Sequence, residues 1–519
     1  MFEVLPYSID SLKLLLAKES SLSTIEKKLH GLYFEEYFDG LGAKTIVAEQ
    51  QYIDRDYLED FSAYYVRCFQ SYSKKCVRLH FFTHEFSKTD FKKILSGNNS
   101  SYEHLKNSYL GFIVVKPLPE TIIGRTCLKT YNEEGRRHFP ITRDYKINLF
   151  GLQLEVQTLA FQEQDCVVAA CATSALWSAF QGTGILYHHT IPSPVEITEA
   201  ATSHLPFESR TIPSNGLNTY QMAQAIKSVG LEPLLIGAND DPVFLKSALY
   251  AYIQGRIPIL MGIELFDISG NPGKTMGWHA VAITGFNLGD TKPVTIKNSC
   301  LLRATRINKL YVHDDQVGPF ARMEFDDKKT SVEVNGLTLD LNTLTTSWKG
   351  KGAVGHVRAV PQIMLVPLYH KIRIPFESIL NVISAFDNFI EGIKKATKIA
   401  FLADRMEWDI YLTNCNDFKT SVFSSSVDGG LKEKILTKAM PRFVWRATAY
   451  CLGKPVLDLL FDATDIEQGK VFLTAVAYDN EFSNILHEIL KDLKLEETFN
   501  MFPQFSAAKQ ILEWFKDLS

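Results

Sequence analysis

One helical stretch followed only by strand signals is the feature that most constrains how this chain can fold. From Val167 to Phe180 it reads VVAACATSALWSAF, and Gly182 beyond it suits a helix C-terminal stop. Five β signals then come without a comparable helix among them: Ile257 to Ile263, Trp278 to Phe286, Val294 to Lys297, Leu310 to His313 and Ile363 to Pro367. That order is the order of an α+β domain, a helix packed on an antiparallel sheet.

Long segments flank this middle part. Before it, the spacing of Leu12, Leu15, Leu16, Leu22, Ile25 and Leu29 predicts helices, followed by a short strand Thr45 to Val47 and a helical stretch Tyr57 to Tyr72. The apolar runs Val77 to Phe82 and Tyr109 to Lys116 predict strands, Ser96 to Ser101 a surface loop, and Ile147 to Val156 a strand. After it come helical Ile379 to Ala400, strands Asp409 to Thr413 and Val456 to Phe461, and two terminal helices, Phe482 to Leu493 and Ala507 to Leu518. With 519 residues, and about 150 per domain, three parts are expected: 1–145, 146–370 and 371–519, the outer two being α+β domains of unassigned role.

Composition removes several classes. Lys plus Arg (55) nearly balances Asp plus Glu (59), so no basic field exists to hold a phosphate backbone, and nucleic acid is not expected as a partner. No run of about 18 apolar residues predicts a membrane span, and MFEVLPYSIDSLKLLL lacks the plan of an export signal. Eight cysteines without a CxxC pair predict free thiols in a reducing cytoplasm, with no zinc knuckle and no bound metal. Neither GxxxxGK[ST] nor GxGxxG is present, so no nucleotide cofactor is expected.

The chemistry concentrates in three places. In FQEQDCVVAACATSALWSAF, Phe161 to Phe180, a Gln and two Cys stand at the mouth of the helix. A thiol there meets the positive end of the helix dipole, an environment that lowers a thiol pKa from about 8.5 towards about 3.5–7.5. In WHAVAITGF, Trp278 to Phe286, a His opens an apolar strand and is rigidly presented, as a general base must be. In LYVHDDQVGPF, Leu310 to Phe320, a strand ends in two carboxylates, and a carboxylate at a strand end can hold the second nitrogen of an imidazole.

This order, Gln-Cys-helix, then His-Ala-Val on a strand running to Gly, then Asp at a later strand end, resembles the papain-like cysteine peptidases. The bacterial bacteriocin-processing, double-glycine type is closest in pattern, over about residues 155 to 325. The resemblance implies a papain-like core, a helix packed on an antiparallel sheet, with α+β flanking domains. It implies a cysteine hydrolase, in the first place a peptidase, acting on a protein or peptide substrate, with a regulatory protein partner a further expectation. It also implies roles for four residues: Cys171 as nucleophile, His279 as base, Asp314 as its orienting carboxylate and Gln164 as oxyanion donor. Gln164 stands seven residues before Cys171 where six is usual.

Some choices stay open at this level. Cys166 follows Asp165 as in an Asp-Cys-Gly signature, but Val167 replaces the Gly, whereas Cys171 begins the small and aromatic Cys-Ala-Thr-Ser-Ala-Leu-Trp. Strand alternation puts Val312 with Asp314 and His313 with Asp315 on opposite faces. Asp314, four before Gly318, keeps the family register, while Asp315 and Asn298 remain alternatives. Taken singly, a Cys on an Ala-rich helix or a His on a strand is an ordinary core residue; it is their conjunction that points to catalysis. The rival reading is a catalytically silent papain-like scaffold in a bacterial defence or toxin system. Weaker candidates are His188-His189 with Glu196 as a metal pair, Asp462 to Asp465 as a cation site or turn, and Asp54-Arg55-Asp56 with Arg78, His80 and His84 as a recognition groove or surface ion pairs.

Overall fold

A computed structural model describes the chain apart from residues 1, 18–19, 98, 132–134, 166, 205–211, 213, 215, 239–240, 296–299, 350–354, 398–403, 426, 428, 467–470, 492–505 and 518–519. It is a mixed α+β structure with several sheets. Its contacts divide it into two compact units. One comprises Met1–Asp240, Arg256–Asn287 and Asn308–Pro367; the other comprises Asp241–Gly255, Leu288–Ile307 and Leu368–Ser519. No division falls near 145, since residues 1–145 share a unit with most of the middle segment, and the expected middle part 146–370 is itself divided: Asp241–Gly255 and Leu288–Ile307 belong with Leu368–Ser519.

The first unit holds two larger β systems and two two-stranded ribbons. A five-stranded antiparallel meander runs in sequence order through Phe2–Pro6, Thr45–Tyr52, Cys76–Phe82, Tyr109–Val115 and Ile123–Leu128. Six further strands close on themselves: Ile259–Asp267, Lys274–Leu288, Ile307–Asp314, Gly318–Phe325, Leu344–Thr345 and Val357–Tyr369, the last pairing back onto the first. The run Val281, Ala282, Ile283, Thr284 is fully buried, which explains why the strand after His279 reads as a continuous rather than alternating apolar segment. The expected strand Ile147 to Val156 is instead a hairpin, Arg143–Leu149 with Leu152–Thr158. Its turn uses Phe150 and Gly151, both at positive φ.

The central helix is Cys171–Tyr187, and all of it but Cys171, Ile185 and Leu186 is buried. A helix apolar on every side must be enclosed, and this one lies in the core of the unit. It runs through Gly182 rather than stopping there. Gly184 supplies the reason for small residues at this end: a Cβ on it would stand 2.7 Å from Ile191 Cγ1, so glycine here answers a close approach and not a helix stop. The expected helix Tyr57 to Tyr72 is shorter, Arg55–Ala63 with a 3₁₀ turn Tyr65–Arg67, and begins one residue after Asp54, whose carboxylate accepts from the Asp56 and Tyr57 N–H groups. A helix Asn99–Asn107 starts inside the expected loop Ser96 to Ser101.

The charged residues of the first segment are mostly buried partners and not surface pairs. Asp56 receives Arg125 Nη2 at 2.6 Å and Trp177 Nε1 at 3.1 Å, which ties the central helix to the helix Arg55–Ala63 and to the meander. Arg78 bonds Glu49 at 2.7 Å, and His80 meets the Tyr109 hydroxyl at 2.9 Å. Lys28 pairs with Glu163, and His30 Nε2 lies 2.9 Å from the Asp315 carbonyl. Through these contacts the N-terminal residues are part of the same core as the middle segment.

The second unit is a six-stranded sheet in the order Val294–Thr295, Leu301–Leu302, Glu407–Asn414, Phe443–Cys451, Lys454–Asp462 and Phe472–Ala477. It carries the helices Phe376–Thr397, Cys415–Phe423, Gly429–Thr437, Asn480–Lys491 and Ser506–Lys516. On this sheet Asp458, fully buried, gathers Arg446, Thr448 and the Tyr478 hydroxyl. Asp462 Oδ1 accepts from the Thr464 N–H and hydroxyl, so FDATD forms a turn at the strand end.

Candidate functional site

Cys171 is the first residue of the central helix, preceded by Ala170 in an extended conformation. The helix start is fixed from inside: the Ala170 N–H donates to Thr173 Oγ1 at 3.3 Å, and Thr173 is itself buried against Thr198. The thiol thus stands at the positive end of a 17-residue helix, where first-turn N–H groups have no intrahelical acceptor and an anion is favoured.

His279 faces it from the strand Lys274–Leu288, opposite Ile263 of the neighbouring strand. Cys171 and His279 line the same cavity, and the thiol is one of the groups that act on the imidazole. His279 Nε2 lies 3.0 Å from Asp314 Oδ1 and 3.6 Å from Asp315 Oδ1, which leaves Nδ1 for the thiol. Burial opposes a charge on this ring, but the charge and hydrogen bond of Asp314, the hydrogen bond to Cys171 and the charge of Asp315 outweigh it. Together they hold the His279 pKa well above its ordinary value.

Both carboxylates reach the imidazole because the strand does not alternate regularly at its end. The register shifts between Val312 and Asp314, so that Asp314 pairs with Gly318. His313, by contrast, packs edge-on against Phe161 and Phe320 and contacts Ser178. Asp314 is also held by Trp348, whose Nε1–H donates to Oδ2 at 2.7 Å, and by the Gln316 N–H, which donates to Oδ1 at 3.1 Å. Burial raises the Asp314 pKa, yet His279, Trp348 and Gln316 pull it below the usual carboxylate value. Asp315 is pushed up to about 6, chiefly by burial and by Asp314. The Trp348 ring stands edge-to-face with His279 at 5.1 Å and covers one side of the imidazole.

A cavity of about 760 Å³ is lined by Cys171 and Gln164 together with Trp278, His279 and Ala280. Leu217, Asn218 and Met222 also line it. Gln164 lines it although its offset to Cys171 is seven. The extra length is taken up by a compact turn in which Asp165 Oδ1 accepts from Val167 and Val168 and the Asp165 carbonyl accepts from Ala169. Asp165 itself is buried, with both oxygens on the Tyr65 hydroxyl.

Of the sequence candidates, Cys171, His279 and Gln164 line this cavity, and Asp314 is buried against His279 Nε2 without lining it. Cys166 and Asn298 lie outside the described residues. His188, His189 and Glu196 do not gather as ligands: His189 meets Thr183 Oγ1 at 2.8 Å, and Glu196 caps its own helix through Ser193. Among the described residues, one group offers three possible metal-ligating atoms in one place, His279, Asp314 and Asp315, within 4.8 Å of one another. In that group His279 Nε2 is engaged by Asp314 Oδ1 at 3.0 Å. Trp348 is the residue that sequence reasoning passed over; its one signal was a lone aromatic side chain in the polar run SWKGKG. Compared with known proteins, the chain matches no protein-family model and no curated protein.

Proposed function

We propose that this protein is a papain-like cysteine hydrolase that cleaves amide bonds in a protein or peptide substrate. The observation that carries the reading is the hydrogen-bonded line from His279 through Asp314 to Trp348, with Cys171 at the helix start lining the same cavity as His279. The order of motifs, closest to the bacteriocin-processing type, supports the same reading, and the free thiols fit a reducing cytoplasm.

In this reading Cys171 gives its proton to His279, and the resulting ion pair is favoured by the helix terminus on one side and the two carboxylates on the other. The thiolate adds to the scissile carbonyl carbon. The oxygen that becomes negative is received by the Gln164 carboxamide and the Cys171 N–H. The C–N bond breaks as His279 protonates the departing amine, which leaves a thioester. His279 then takes a proton from water, the hydroxide adds to the thioester, and the acid and the thiol are released. Asp314 keeps the ring in the orientation that presents Nδ1.

The test is iodoacetamide labelling at pH 6, mapped by mass spectrometry, with the thiols of Cys76 and Cys127 as internal standards. Both are buried, and burial pushes each up to about 12. Cys171 is expected to alkylate far faster than either, to slow when His279→Ala is introduced, and to carry a thioester adduct after brief exposure to a peptide ester. Cys171 labelling no faster than the two standards, and indifferent to His279→Ala, would refute the hydrolase.

A further inference from the structure

A second cavity, of about 410 Å³, lies in the same unit against the helix Leu29–Leu41, and its lining differs in chemistry from that of the first. Three tyrosines face it, and their hydroxyls are spent on backbone oxygens: Tyr33 on Pro319, Tyr37 on Lys129 and Tyr131 on Phe320. Tyr37 is buried and the Tyr131 ring lies under Arg137, so the ring left to the cavity is that of Tyr33. Two guanidiniums stand at the same wall, Arg137 with its carbon 4.4 Å from the Tyr131 ring centre and Arg322 at 5.6 Å. The one carboxylate in the lining, Glu36, meets Arg322 at 3.3 Å, but both side chains of that pair are largely exposed. An exposed pair of this kind holds weakly and exchanges readily for a better anion.

We propose that this cavity binds a nucleoside monophosphate, the base lying on the Tyr33 ring and the phosphate taken by Arg137 and Arg322. Ring and anion are both required by the lining: a ring without a free hydroxyl favours a planar apolar face, and guanidiniums favour a phosphate that accepts two parallel N–H donors. The volume is in the range of small-ligand pockets. The site is independent of the hydrolase reading, since no residue of the first cavity lines it.

Equilibrium dialysis of the full chain against AMP, GMP, CMP and UMP, with adenosine and inorganic phosphate as the two half-probes, tests it. At least one nucleotide is expected to bind below about 1 mM, at least about tenfold tighter than either half-probe and more weakly as salt is raised. Arg137→Gln and Arg322→Gln are each expected to weaken that binding about tenfold or more. Gly40→Leu provides a control that touches neither arginine. Gly40 lines the cavity, and a Cβ there meets nothing within 4 Å, so the added side chain occupies open space without disturbing the fold, as an unchanged melting temperature verifies. The proposal is overturned if no nucleotide binds at 1 mM, if adenosine or phosphate alone binds as tightly as the nucleotide, or if Gly40→Leu binds it as well as the unaltered chain.

Discussion

Replacing Trp348 by Phe removes one hydrogen bond to Asp314 and little else, since a ring of comparable reach still covers His279. The bond lost is an indole N–H on a buried carboxylate at 2.7 Å, and Asp314 is only 3% exposed. Hydrogen bonds to charged groups contribute about 1.5–3 kcal/mol net, and if that share is felt where His279 carries its positive charge, the barrier rises by the same amount. At about 1.4 kcal/mol per decade this is a fall of about 10- to 150-fold in kcat/KM on a peptide substrate, with KM nearly unmoved because Trp348 does not line the substrate cavity. The acid limb of the pH profile moves as well. Trp348 is one of the donors that hold the Asp314 pKa down, so its loss lets that pKa rise and activity fails at a higher pH than in the unaltered chain. Sign and stability agree: a depressed carboxyl stabilises the fold above its unfolded pKa, and that contribution is lost as pH falls through the folded value, so Trp348→Phe also unfolds at a higher pH on acidification. Steady-state rates between pH 4 and 8, with a thermal melt at each pH, check both. A variant with unchanged kcat/KM and an unmoved acid limb would show that Trp348 only covers the ring and does not tune the carboxylate.

Asp315→Asn is expected to raise the melting temperature by a few degrees at pH 8 and to leave it unchanged at pH 4. Its pKa is pushed up to about 6, so the stability it offers is full below the unfolded value and is lost as pH rises through 6. Asp56→Ala should cost about 3–5 kcal/mol in a urea titration, since it leaves the Arg125 guanidinium and the Trp177 indole N–H without their shared acceptor, and Asp56→Asn should cost less. Gln164→Ala should lower kcat about 10²- to 10³-fold, as loss of an oxyanion donor does, without slowing alkylation of Cys171 by iodoacetamide, a reaction that forms no oxyanion. Equal losses in both assays would assign Gln164 to the packing of the helix start instead.

Local pattern was enough to find the strands that carry His279 and Asp314 and the helix that begins at Cys171, because each is an apolar run distinct from the polar segments around it even where burial on all sides removes the alternation. The sequence reading failed where two distant segments meet. Nothing within residues 1–145 announces that Asp56, Lys28 and His30 reach Trp177, Glu163 and the Asp315 carbonyl, so a charge-rich N-terminal segment read as a separate domain with surface ion pairs. Gly182 read as a helix stop because the residue it packs against, Ile141, is brought there only by the tertiary fold.

The choice between Asp314 and Asp315 shows the same limit at the scale of one residue. Strict alternation would send one carboxylate to each face of the strand, and a choice between them is then forced. The shift of register between Val312 and Asp314 removes that choice, since it turns both acids toward His279 at 3.0 and 3.6 Å and leaves His313 in the apolar interior. Two carboxylates so close cannot both ionise easily in a buried site, and their environments part them. Asp314 has Trp348 and the Gln316 N–H as well as the imidazole, whereas Asp315 has the Gln316 side chain on one oxygen and no hydrogen-bond donor on the other. The proton therefore stays with Asp315 and the charge with Asp314 as pH rises towards 6. It follows that the two asparagine variants should differ in kind: Asp314→Asn removes the anion that orients the imidazole and should lose most activity at every pH. Asp315→Asn should approximate the unaltered chain below pH 6 and depart from it only above, where it lacks the second negative charge beside His279. If Asp315→Asn is instead the more damaging change at pH 5, the orienting carboxylate is Asp315 and the order of the pair is reversed.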